Sequence, residues 1–112
     1  MDTVTLGLEW FLNPDHVPFF VADERGYYRD VGIELDVWEP EEHYDTLEML
    51  ATGDLDVAIT EPIHLVEELA EGTEVSGIAE FLHTQGGIMY PTDRSWETPA
   101  ALPAGVRLNY PG

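Results

Sequence analysis

The chain has 112 residues, 23 of them acidic and four basic, for a formal charge of −19. A nucleic-acid binder needs a basic footprint, so that class is excluded, and without cysteine so are a disulfide framework and a cysteine zinc site. No apolar run approaches the ~20 residues of a membrane helix, while 44% hydrophobic residues is ordinary for a globular domain and too many for a disordered chain.

Strand-like and helix-like patterns alternate. Val4 to Glu9 reads as a strand with Val4, Leu6 and Leu8 on one face. Asp15 is the expected N-cap of a helix that ends near Gly26, with Pro18 in its first turn, where the missing N–H does no harm. Tyr27 to Val31 forms a short turn closed by Gly32, and Ile33 to Trp38 alternates as a second strand. A helix is expected from His43 to Thr52, closed by Gly53, then a short strand at Leu55 to Ile59. Thr60 is the expected cap of a third helix running to Gly72, with Pro62 near its start and Leu65, Val66, Leu69 and Ala70 as its buried stripe. Val75 to Leu82 reads as a fourth strand and Ile88 to Tyr90 as a short extended piece, followed by a turn at Pro91, Thr92 and Asp93. A helical turn from Thr98 to Leu102 and a last strand at Val106 to Tyr110 complete the pattern. Strands alternating with helices of about ten residues predict an α/β fold with a mostly parallel sheet flanked by helices.

In such sheets ligands bind beyond the carboxyl ends of the strands. Trp10, Asn13 and His16 follow the first strand, Trp38, Glu39 and His43 the second, and Thr60, Glu61 and His64 the third. His83, Thr84 and Gln85 follow the fourth, and Asn109 and Tyr110 end the last. Aromatic rings at this edge can stack on a flat heterocycle while Asn, Thr, His and Glu bond its heteroatoms. The ligand-binding candidates are therefore Trp10, Asn13, His16, Trp38, Thr60, Glu61, His64, Asn109 and Tyr110, with no catalytic residue and no cofactor expected. His43 reads as a cap or surface residue, Tyr27 and Tyr28 as packing residues, and the Glu41-Glu42 and Glu67-Glu68 pairs as solvated faces. Four histidines near carboxylates raise a divalent metal as a rival, but no close pair such as H-x₃-H exists. No nucleophile elbow, phosphate loop or dinucleotide fingerprint is present.

These residues also carry a resemblance. Trp10, Asn13 and His16 form a W-x-x-N-x-x-H signature, followed by Ala22, Gly26, Tyr27 and Tyr28 as A-x-x-x-G-Y-Y and by the strand from Gly32. Gly53-Asp54-Leu55-Asp56-Val57-Ala58-Ile59 with His64 beyond it, Gly86-Gly87-Ile88-Met89-Tyr90, and Leu108-Asn109-Tyr110-Pro111-Gly112 follow in order. Together they resemble the thiamine-pyrimidine-precursor family of type II periplasmic-binding-protein folds, which holds solute-binding proteins of ABC importers and the fungal-type pyrimidine synthase. The resemblance implies a two-lobed protein with its ligand in the cleft. Residues 1–112 are then expected to be a single, partial α/β lobe, with the second lobe outside this chain. It also implies that Trp10 and His16 line a pyrimidine pocket, that Asn13 supports their loop, and that an ABC permease is a partner. The synthase branch would use a lysine-bound pyridoxal phosphate one helical turn before a donor histidine. His64 matches that histidine, but Thr60 stands at the lysine position. A solute binder for a thiamine pyrimidine precursor is the expectation. A pyrimidine-synthesis enzyme and a binder of a sulfonate-type solute are the alternatives. The family suggests an extracytoplasmic site of action, whereas the first residues show no signal-peptide pattern.

All four basic residues are arginine: Arg25, Arg29, Arg94 and Arg107. Self-repulsion at this charge destabilises a compact chain in dilute salt, and at molar salt, with a Debye length of ~3 Å, most of that cost disappears. The composition is therefore expected to be a salt adaptation, with an ordinary acidic domain that has a cationic partner as the alternative.

Overall fold

The computed structural model describes residues 1–41, 46–83 and 86–109. Three parallel strands form one sheet: β1 (Asp2–Gly7), β2 (Ile33–Trp38) and β3 (Val57–Ala58), in the order β2-β1-β3. Among the described residues four α-helices accompany them: α1 (Val17–Glu24), α2 (Tyr27–Asp30), α3 (Thr46–Thr52) and α4 (Pro62–Glu71). The fold is α/β with a parallel sheet flanked by helices, as the alternating pattern predicts. The chain divides into two compact units, Met1–Ala79 and Glu80–Gly112, and the sheet and all four helices lie in the first.

The alternation in β1 decides what each face of the sheet buries. Leu6, Leu8 and Ile59 make the core, with Phe19, Leu35, Val37 and Val57 packed against it. Gly7 faces the other way. A Cβ there would collide with the Leu55 side chain and lie 3.4 Å from Thr46 Cγ2, so glycine lets that layer approach the strand. The ladder continues past the formal strand ends, with Leu8 N–H donating to Trp38 O at 3.0 Å and Ile59 N–H to Gly7 O at 2.9 Å. At the other end of β3, Thr5 N–H donates to the Asp56 carboxylate at 2.9 Å while Asp56 N–H donates to Thr5 O at 3.1 Å.

Several expectations are corrected. Asp15 does not cap the first helix: Asn13 caps a 3-10 turn at Pro14–His16, its Oδ1 accepting the Asp15 N–H, and α1 follows with His16 at its N-cap position, where no side chain makes a capping hydrogen bond. The cap of α4 is Glu61, not Thr60, and its side chain makes no capping hydrogen bond. The Gly72 C-cap, at φ 88°, is as expected. The third strand shrinks to two residues. No strand forms among the described residues of 75–82, 88–90 or 106–109, and Tyr110 lies outside the described residues. An alternating sequence becomes a strand only where a neighbouring edge accepts its hydrogen bonds, and none is paired with these segments. The apolar stripe of α4 is also not buried: Val66 is 63% exposed and Leu69 49%, while Leu65 is half-buried. Periodicity supplies the stripe, but only a packed neighbour buries it. The start of the expected helix at His43 lies outside the described residues.

Candidate functional site

The carboxyl ends of β1, β2 and β3 gather most of the candidate residues in the first unit. The segment 9–16, between β1 and α1, is the most elaborately held. Its histidine is fully buried, with no exposed surface. His16 Nδ1 accepts the Asn13 N–H at 3.2 Å, so that nitrogen carries the lone pair. The proton is then on Nε2, which donates to the Glu9 carboxylate, 3.1 Å from each oxygen. With Asn13 Oδ1 accepting Asp15 N–H, this is a reciprocal capping box in which histidine takes the part usually played by Glu or Gln. Asn13 Nδ2 also donates to Phe11 O at 3.0 Å.

A second tie comes from the neighbouring strand. Glu39, immediately after β2, accepts Leu12 N–H at 2.8 Å. Between the two ties stand Trp10 and Phe11, their ring centroids 4.5 Å apart and tilted by 52°. Trp10 is half-buried; Phe11 and Leu12 are about half exposed. The loop therefore presents an aromatic, apolar tip above the strand ends, fixed at both sides by carboxylates.

Trp38 ends β2 and is half-buried. Thr60 follows the buried Ile59 and is half-buried, Glu61 is exposed at the mouth of α4, and His64 is half-buried in its first turn. Behind them, Thr46 is buried and its hydroxyl donates to Ile59 O at 3.2 Å, which fixes the backbone just before Thr60. Among the described residues no three His, Asp or Glu side chains come together as a metal site, and no helix is long and apolar enough to cross a membrane.

The other candidates are elsewhere. Asn109 is exposed and belongs to the second unit. Tyr110, His43, Thr84 and Gln85 lie outside the described residues. His83 pairs with Glu80 at 3.1 Å, with both side chains open to solvent. In the second unit Tyr90 and Trp96 pack at 5.9 Å, and Arg94 lies 5.8 Å above the Trp96 ring.

The family described as NMT1/THI5 like matches residues 13–112. The chain belongs to the NMT1/THI5-like family. It is 37% identical over 79 residues to a 4-amino-5-hydroxymethyl-2-methylpyrimidine phosphate synthase of Legionella pneumophila, covering 70% of this chain and 25% of that protein. It is 30% identical over 90 residues to the synthase THI5 of Saccharomyces cerevisiae, covering 80% of this chain and 26% of the other. It is also 25% identical over 113 residues to a formylaminopyrimidine-binding protein of Halalkalibacterium halodurans, covering all of this chain and 34% of the relative. The chain thus spans between a quarter and a third of the length of these curated relatives.

These relatives include both synthases and a binding protein. Glu9 is the site residue that sequence reasoning missed. It sits seven positions before His16 across a loop and a 3-10 turn, where no helix or strand periodicity applies, so no local signal marks the pair. Glu39 was legible only as an edge residue; its bond to Leu12 N–H spans 27 positions.

Proposed function

We propose that this chain carries the front part of a solute-binding protein for a small heteroaromatic compound of the thiamine-pyrimidine-precursor type, feeding an ABC-type importer. The observation that carries this reading is Thr60. The synthase resemblance calls for a pyridoxal-phosphate lysine at this position, just ahead of His64. The residue present is a half-buried threonine, and the chain contains no lysine at all. A hydroxyl cannot form an imine, so the residues at this position do not fit a lysine-bound pyridoxal phosphate. The tilted Trp10–Phe11 pair, with Trp38, Thr60, Glu61 and His64 at the same strand ends, suits stacking and hydrogen bonding to a flat ring.

Calorimetry of the full protein in molar potassium chloride tests the reading with hydroxymethylpyrimidine and formylaminopyrimidine. Micromolar binding of one of them without added cofactor is the expected result. Binding of neither, with tight binding of a sulfonate, overturns the pyrimidine assignment. The synthase reading has one observation in its favour, the higher identity to the Legionella synthase than to the binding protein, 37% against 25%. Restoration of growth to a pyrimidine auxotroph would decide for it.

A further inference from the structure

We propose that His16 is a positioning residue whose neutral Nε2–H tautomer locks the 9–16 loop in the shape that presents Trp10 and Phe11. The consequence for ligand binding rests on the solute-binding reading above; the lock itself does not.

The geometry permits one protonation pattern. The Asn13 N–H points at Nδ1, so Nδ1 must keep its lone pair, and Nε2 must carry the proton that the Glu9 carboxylate accepts. A second proton on the ring would set an N–H against the Asn13 N–H. The cap would open at the point where the chain leaves the aromatic tip. Glu9 is the charged group that faces the ring; Asp15, whose amide Asn13 holds, and Glu39, which holds Leu12 N–H, are the other carboxylates tied into the same loop. A glutamate in the usual capping-box position would hold the Asn13 amide without needing a particular tautomer, so histidine makes the loop's shape depend on one proton. His16 itself has no exposed surface and both nitrogens bonded within the chain. It therefore acts on a ligand through the residues it places.

The test uses histidine-labelled full protein and two variants. Long-range proton–nitrogen NMR should show His16 protonated on Nε2 and bare on Nδ1; a proton on Nδ1 at neutral pH overturns the proposal. His16→Asn keeps an oxygen acceptor near the Nδ1 position, whereas His16→Ala removes it. The Asn13 amide should exchange slowly in wild type and in His16→Asn, and about tenfold or more faster in His16→Ala. Affinity for hydroxymethylpyrimidine should survive in His16→Asn and fall about tenfold or more in His16→Ala. Rescue by the conservative variant is a result that a simple stability role would not produce. An Asn13 amide in His16→Asn that exchanges about tenfold or more faster than in wild type overturns the proposal, and this arm stands even where His16→Ala does not fold. Should the wild-type protein bind no pyrimidine at all, the solute-binding reading fails, and the tautomer and the Asn13 exchange rate still decide the lock.

Discussion

Replacing Gly7 with alanine probes the closest approach in the fold. The added methyl would occupy the space of the Leu55 side chain and press to 3.4 Å from Thr46 Cγ2. Leu55 is 4% exposed and Thr46 2%, so neither can swing into solvent without opening the layer. Overpacking of this kind costs about 1–3 kcal/mol. Alanine returns roughly 0.5–1 kcal/mol by restricting the unfolded chain, which leaves a net destabilisation of up to ~2.5 kcal/mol; with both neighbours buried, about 1 kcal/mol or more is expected. Urea unfolding of the full protein should show a lower midpoint with an unchanged slope. Leu55→Ala alone should cost ~2–5 kcal/mol through the cavity it opens. Combined with Gly7→Ala it should cost at least ~1 kcal/mol less than the sum, because the new methyl then has room. Strict additivity, or a Gly7→Ala protein as stable as wild type, would refute the close-approach explanation for this glycine.

Thr46→Val removes the donor that Ile59 O receives at 3.2 Å and should cost about 1 kcal/mol in the same urea assay. Burial, and secondarily the nearby Asp23 charge, raise the pKa of the Tyr28 phenol above its ordinary value of 10.0. The folded state therefore holds that proton more tightly than the unfolded chain. Its contribution is complete below the unfolded pKa and lost as pH rises through the folded one. Stability should fall on the alkaline side of pH ~10, and Tyr28→Phe should flatten that fall in pH-dependent thermal melts. With −19 net charge, the melting temperature should rise on the order of 10 °C between dilute and molar potassium chloride, and a flat or falling curve would count against salt adaptation.

The parts of the fold that follow local rules were legible. Val4, Leu6 and Leu8 alternate, the Ile33–Trp38 segment alternates, and Gly72 ends α4 because a left-handed residue there costs glycine little. The edge carrying Trp10, Trp38, Thr60 and His64 followed from strand ends in a parallel sheet. The helix starts were misplaced because cap chemistry does not fix them: Asp15 falls inside the 3-10 turn that Asn13 caps, and α1 and α4 begin after His16 and Glu61, neither of which makes a side-chain capping bond.

Composition and short-range pattern by themselves determined the class of fold, the absence of a nucleic-acid footprint, and the threonine that stands at position 60. Tertiary structure alone decided how the site is held. Glu39 reaches Leu12 across 27 positions, and Asp56 reaches Thr5 across 51. It also decided which nitrogen of His16 is free to accept, and that the apolar stripe of α4 stays exposed. The physical reason is the same in each case. Periodicity and propensity act within a turn or a strand, whereas burial, tautomer and long-range hydrogen bonds depend on which surfaces the folded chain brings together.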